Sequence, residues 1–204
     1  MQTAQPIAQL LPTVTRELTT TNRSLPPLAP KFCDWLKFQT FDDPELAKLA
    51  QAAQTWASAF KRGDKPRWLS IIGTSGAGKT YVAKQLWKYA KEKSNWRGCD
   101  YFPHVVFWPD FIQELRSGAS YELRNEMKRW PVLFLDDIGA ERDPSGYAAE
   151  ELNTLLGCRV NKWTLITSNK DADSLKAIDG RIFSRLIRDE NICVSVNTKD
   201  FAER

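Results

Sequence analysis

The stretch "IIGTSGAGKT", residues 71 to 80, constrains this chain more than any other. Two isoleucines run into three glycines, then into Lys79 and Thr80. Gly73, Gly76, Gly78, Lys79 and Thr80 satisfy the pattern G-x-x-x-x-G-K-[ST] in full. Glycine lets a backbone curl so that successive N–H groups face inward around phosphate oxygens. The helix that opens at Lys79 adds its partial positive charge. In that geometry the Lys79 ammonium reaches the β- and γ-phosphates and the Thr80 hydroxyl ligates Mg²⁺. The expected nucleotide-binding segment is therefore Gly73, Thr74, Ser75, Gly76, Ala77, Gly78, Lys79, Thr80 and Tyr81. A chance match needs neither an apolar strand before the glycines nor a helix after them, and both are predicted here.

The rest of the chain alternates in the same way. "RWLSIIG", "YFPHVVFW", "PVLFLDDI", "WTLITSN" and "NICVSVN" read as strands. Helical stretches separate them, beginning with residues 79 to 93. Short apolar strands alternating with helices predict an α/β fold, a five-stranded parallel sheet covered on both faces. Upstream, Asp43 before Pro44 and Glu45 marks a helix start, with a capping side chain followed by a proline where no N–H is needed.

A phosphate loop needs an acidic partner, and "VLFLDDIGAE" supplies it. Asp136 and Asp137 follow a buried run at the end of a strand, the edge where open α/β sheets bind ligands. Asp136 is expected to hold the Mg²⁺ shell, and Asp137 to orient or deprotonate the attacking water. The same pair also fits a cap on the next turn. Glu141 reads either as a group behind the acids or as an exposed side chain. "LITSN" brings Thr167, Ser168 and Asn169 to another strand end, where Asn169 can hydrogen-bond the γ-phosphate or the water. In "GRIFSRLIRD", Arg181, Arg185 and Arg188 form one helical stripe. Such a stripe is ordinarily a solvated face. Its functional alternative is an arginine that completes a neighbouring subunit's nucleotide site.

Lys84, Lys88 and Lys91 form a second stripe, beside Trp87 and followed by Lys93, Trp96 and Arg97. Cations interleaved with aromatics suit single-stranded DNA, and Lys84, Lys88, Lys91 and Arg97 are the candidates. The stripe fits equally a lysine-rich outer face with Trp87 packed inward. "RNEMKRW", residues 124 to 130, is a second candidate.

Composition narrows the remaining choices. The formal charge of +4 permits a nucleic-acid partner without demanding one. One histidine and four scattered cysteines argue against a zinc site or a histidine-based triad. No stretch is apolar enough to span a bilayer and no secretory signal opens the chain, so a cytoplasmic protein is expected. Residues 1–36 read as a flexible Pro/Thr-rich arm and residues 37–204 as the folded domain. The apolar patches of the arm make Leu10, Leu11 and Trp35 candidate contacts for a partner.

The series "GTSGAGKT", "LFLDDIGAE", "TSN" and "RIFSRL" resembles the AAA+ ATPases of the bacterial helicase-loader group, the DnaC and DnaI loaders and the IstB transposition helpers. The upstream "FQTFDDPELAKLAQAAQTWASAF" is similar to the start of that family's ATPase core, so the resemblance covers about residues 38 to 204. It implies Walker A at Lys79 and Thr80, Walker B at Asp136 and Asp137, sensor 1 at Asn169 and an arginine finger acting in trans at Arg185, with Arg181 one turn before it. It also implies ATP and Mg²⁺ as cofactors and self-assembly through ATP sites at subunit interfaces. Slow ATP hydrolysis would be coupled to assembly on single-stranded DNA and delivery of a hexameric replicative helicase. With the chain ending at Arg204, a full C-terminal helical lid is expected to be lacking. A transposition helper shares every motif named. A small-molecule phosphotransferase of the P-loop class is the remaining alternative, which the arginine stripe and paired acids disfavour.

Overall fold

A computed structural model describes residues 25, 27–40, 42–96 and 103–203. The apolar runs form strands β1 (Trp68–Gly73), β2 (His104–Phe107), β3 (Val132–Asp136), β4 (Trp163–Ser168) and β5 (Ile192–Val196). They make one sheet in the order β2-β3-β4-β1-β5, with every neighbouring pair parallel. This is the predicted α/β class. Because all strands run the same way, all five C-terminal ends share one edge.

Helices α1 (Pro30–Leu36), α2 (Pro44–Arg62) and α3 (Lys79–Trp96) precede β2, and α4 (Trp108–Arg116) and α5 (Tyr121–Met127) follow it. Helix α6 (Tyr147–Cys158) joins β3 to β4, and α7 (Ala172–Ile178) and α8 (Gly180–Ile187) join β4 to β5. Strand periodicity divides the core between the two faces. Leu69 and Ile71 of β1, with Phe134 of β3, pack among Leu46, Trp56 and Leu86 of α2 and α3. Trp68, Ile72, Leu133 and Leu135 pack among Ile112, Leu156 and Leu186 on the other face. Burying one such Leu or Phe fully is worth about 2 kcal/mol, so a central strand buried on both faces anchors the loop that leaves its end.

Helix α2 begins where the capping pattern places it. Asp43 accepts a hydrogen bond from the Glu45 N–H at 2.8 Å, Pro44 occupies the first turn, and Gly63 closes the helix with φ +78°. The packed body also reaches upstream of the boundary read from sequence. The Ala29 N–H donates to Gln54 at 2.7 Å, the Gln54 amide donates to the Pro27 carbonyl at 2.9 Å, and Leu36 of α1 is fully buried. The folded unit therefore includes the last part of the arm. Leu10 and Leu11 lie outside the described residues, as does Arg97. Among the described residues no helix is long and apolar enough to cross a membrane.

Candidate nucleotide site

At the C-terminal edge, β1 delivers Gly73 into the phosphate loop and β4 delivers Thr167 and Ser168 beside it. The Gly73 N–H donates to the Lys170 carbonyl at 3.2 Å, which ties the two strand exits together. Gly76 adopts φ +74° and Gly78 φ +78°. A Cβ on Gly76 would meet the Asp200 carboxylate at 2.0 Å, and one on Gly78 would meet the Phe38 ring at 2.8 Å. Both conformation and space require glycine there. The Lys79 ammonium reaches back over the loop to the Gly73 carbonyl at 3.1 Å and the Thr74 carbonyl at 2.5 Å. Burial lowers its pKa, while Asp137 and Asp136 oppose that shift and favour the charged form.

The acids read from sequence meet the Walker A threonine. The Thr80 hydroxyl donates to Asp136 Oδ1 at 2.9 Å, and the Thr167 hydroxyl donates to the same oxygen at 2.6 Å. Among the described residues no hydrogen bond reaches Asp136 Oδ2. A Thr hydroxyl and a carboxylate side by side are hard oxygen donors, the set that Mg²⁺ takes when phosphates supply the rest of its shell. Among the described residues no cluster of three or more His, Cys, Asp or Glu is gathered to hold a metal. The Thr80 and Asp136 oxygens fit a nucleotide-borne Mg²⁺.

Asp137 stands one residue past the strand, at φ +62°. The Asn169 side-chain amide donates to its Oδ1 at 2.8 Å. Burial raises the Asp137 pKa, helped by the neighbouring Asp136, with Lys79, a backbone hydrogen bond from Asn169 and Lys170 pulling the other way. A carboxylate of raised pKa, held by an amide beside a phosphate loop, is suited to take a proton from water. Glu141 is turned inward. Its carboxylate accepts from the Gly139 N–H at 2.9 Å, so it braces the loop after Asp137, and burial raises its pKa.

A cavity of about 400 Å³ adjoins the loop, lined by Lys37, Phe38, Gln39, Gly78, Tyr81 and Phe201. Phe38 stacks near Tyr81 at 6.5 Å and leans on Phe201 at 5.3 Å. Such a flat aromatic recess beside a phosphate site is sized for a nucleobase. Tyr81 was expected from its place after the motif. Phe38, Gln39 and Phe201 were missed, because they come from the two ends of the folded unit and belong to no local pattern. Phe201 is held by its N–H to the Gly76 carbonyl at 3.0 Å.

The arginine stripe lies elsewhere. Arg185 shares a recess with Lys65, Arg67, Trp68 and Arg188 at the start of β1, where Asp189 is the one carboxylate in the lining. Trp68 and Gly73 are the two ends of β1. At about 3.3 Å per residue the recess and the chain's own phosphate loop are separated by roughly 16 Å. The Arg185 Nε donates to the Asn153 carboxamide at 3.0 Å, and its terminal nitrogens lie over Gly157 with no hydrogen bond among the described residues. Arg181 is engaged instead: it pairs with Glu150 at 2.7 Å and Asp179 at 2.8 Å, contacts that raise its pKa. Arg188 is exposed and donates to Ser184 at 3.3 Å.

On α3, Lys84 and Lys88 are exposed, while the Lys91 ammonium sits 5.4 Å from the centre of the Trp87 ring. The Trp87 indole donates to the Pro103 carbonyl at 2.9 Å and packs on the core, so it is engaged within the fold. In the second candidate stretch, Arg124 pairs with Glu151 at 2.7 Å and Trp130 stacks on His104 at 3.7 Å. Trp35 packs against Phe32 at 5.3 Å and Tyr89 at 5.2 Å and is 37% exposed.

Comparison with known proteins agrees with the fold. The model of the bacterial DnaA ATPase domain matches residues 34–192. The chain is 31% identical over 147 residues to the replicative helicase loader DnaI of Bacillus subtilis, covering 68% of this chain and 45% of that protein. It is 28% identical over 162 residues to the chromosomal replication initiator protein DnaA of Limosilactobacillus fermentum, covering 79% and 36%. The chain thus spans less than half the length of these relatives. A crystal structure of DnaI superposes with a TM-score of 0.62 at 25% identity, covering 82% of this chain and 92% of that one. DnaA bound to AMPPCP and single-stranded DNA shares the fold, with a TM-score of 0.61 at 18% identity over 84% of this chain and 51% of that one.

Proposed function

Because the chain belongs to the bacterial DnaA ATPase domain family, within the AAA+ proteins, we propose that it is an ATP- and Mg²⁺-dependent helicase loader. ATP enters at the C-terminal edge, its base between Phe38, Tyr81 and Phe201 and its phosphates in the curl from Gly73 to Thr80. Thr80 and Asp136 would hold Mg²⁺, which would supply positive charge to the phosphates. Lys79 leaves the loop carbonyls for the phosphates. Asp137, oriented by Asn169, accepts the proton of the attacking water. Arg185 comes from a second copy, since the chain's own Arg185 recess is roughly 16 Å from its phosphate loop. Hydrolysis is therefore slow in the monomer and coupled to assembly.

The observation that carries this reading is the hydroxyl–carboxylate network joining Thr80, Asp136, Thr167, Asp137 and Asn169 beside the phosphate loop. The replication role draws support from the DnaI and DnaA relatives. Single-stranded DNA follows the exposed cations Lys84 and Lys88. The arm, residues 1–36 with Leu10, Leu11 and Trp35, contacts the helicase. Co-purification with a hexameric replicative helicase tests the proposal. The expected result is capture that requires ATP and fails after deletion of residues 1–24. Capture indifferent to nucleotide, or none under any condition, contradicts it.

A further inference from the structure

The two Walker B acids are joined through one hydroxyl. Thr167, at 1% exposure, stands just beyond the last paired position of β3 and β4, where Leu135 faces Ile166. Past that point its side chain takes over the ladder. Its Oγ1 accepts the Asp137 N–H at 2.9 Å and donates to Asp136 Oδ1 at 2.6 Å, while its carbonyl accepts the Ile138 N–H at 2.9 Å. A hydroxyl has one proton, and a backbone N–H can only donate. The direction of both bonds is therefore fixed: Thr167 gives its proton to Asp136 and receives the one on Asp137.

Two consequences follow for the acids. Asp136 Oδ1 is occupied by two hydroxyls, Thr80 and Thr167, so the carboxylate cannot rotate without breaking one of them, and Oδ2 is left for a ligand. Asp137 adopts φ +62°, a left-handed conformation that L-residues seldom take, and its N–H would lose its side-chain partner without Thr167. Ser168 reinforces the same turn by donating to the Ile138 carbonyl at 2.6 Å.

We propose that Thr167 is a positioning residue that sets Asp136 toward Mg²⁺ and Asp137 toward water as one unit. It touches neither ATP nor metal and acts through the two carboxylates. This rests on the nucleotide-binding reading above. Removing an outer-shell partner of a metal ligand commonly weakens metal binding by about 10- to 100-fold, which sets the expected scale.

Titrating a fluorescent ATP analogue against the full chain, in EDTA and across a range of Mg²⁺ concentrations, tests the proposal together with ATP turnover. Thr167→Val keeps the shape and removes the hydroxyl, and Thr167→Ser restores it. T167V is expected to bind the analogue in EDTA as the wild type does, to need about tenfold more Mg²⁺ and to lose turnover by a similar factor, with T167S close to wild type. Wild-type Mg²⁺ dependence and turnover in T167V would overturn the assignment. So would equal impairment of T167S and T167V, which would make the methyl group the important part. Loss of EDTA binding in T167V would also overturn it, since Thr167 would then support the fold and not the acids. If the wild-type protein binds the analogue in no condition, the nucleotide reading itself falls.

Discussion

At the C-terminal edge of the sheet, hydroxyls and carboxylates are locked to one another: Thr80 and Thr167 on Asp136, Asn169 on Asp137. At the N-terminal edge, four cations line one recess and, among the described residues, the Arg185 guanidinium has a single hydrogen-bond anchor, Asn153. The same strand, β1, leads from one to the other. The acidic end is assembled within one chain, from donors whose chemistry suits a metal and a phosphate. The basic end has charge and orientation, and among the residues that line it only Asp189 brings an opposite charge. Complementary half-sites at opposite ends of one sheet are the arrangement that the proposed completion of the site by a second copy requires.

A second arginine sharpens the contrast. Arg159 also lies near the N-terminal edge, but it is fully buried. It donates to the carbonyls of Met127 at 2.6 Å, Trp130 at 2.9 Å and Trp163 at 2.8 Å, and to the Thr164 hydroxyl at 3.1 Å. Burial brings its pKa down to about 9. Its donors are satisfied inside the fold, so it holds the starts of β3 and β4, whereas Arg185 has two nitrogens to offer outward.

Breaking the acidic end should have the largest effects. Lys79→Ala is expected to abolish both ATP binding and hydrolysis, as read by titration of a fluorescent analogue, because no other side chain of the loop brings a cation to the phosphates. Asp137→Asn should keep affinity and reduce turnover by about 10³-fold, since the carboxylate acts on water and not on bound ATP. Normal turnover in that variant would move the base to Glu141. Arg159→Ala separates structure from function at the basic end. Chemical denaturation should show a loss of about 3 kcal/mol, from carbonyls left buried without donors, while nucleotide affinity in the folded protein stays unchanged.

The smallest expected effect concerns pH. Asp137 must be deprotonated to act as a base, and burial together with Asp136 raises its pKa. Turnover should therefore fall with falling pH through a limb lying above the ordinary carboxylate range. Asn169→Ala keeps the backbone donor but removes the side-chain amide that donates to the Asp137 carboxylate, so that limb should move further toward neutral pH. A limb that stays in place would mean that the amide orients phosphate or water without touching the acid.

Most of the acidic end was legible in the sequence, because its residues follow apolar strands at fixed spacings. The phosphate loop, Asp136, Asp137 and Asn169 all leave strands whose parallel arrangement was evident from alternation alone. The base recess was not legible. Phe38 and Phe201 are more than 160 positions apart in the chain and meet only after α2 and β5 have packed. Helical spacing on α3 left both readings of the lysine stripe open, because it does not tell whether Trp87 faces outward or, as packing has it, donates to the Pro103 carbonyl. Helical spacing alone puts the arginines on one stripe, and packing shows the physical difference between Arg181, tied to Asp179 and Glu150, and Arg185.

Stacking of copies is tested most directly by mixing two inactive proteins. Arg185→Ala keeps an intact nucleotide site but offers no guanidinium to a neighbour, while Asp137→Asn offers the guanidinium but lacks a base. Each alone should bind ATP and turn over poorly. The account predicts that steady-state ATP hydrolysis of the mixture rises well above the sum of the two, with a maximum near equal proportions. A mixture that hydrolyses no more than that sum would contradict completion of the site by a second copy.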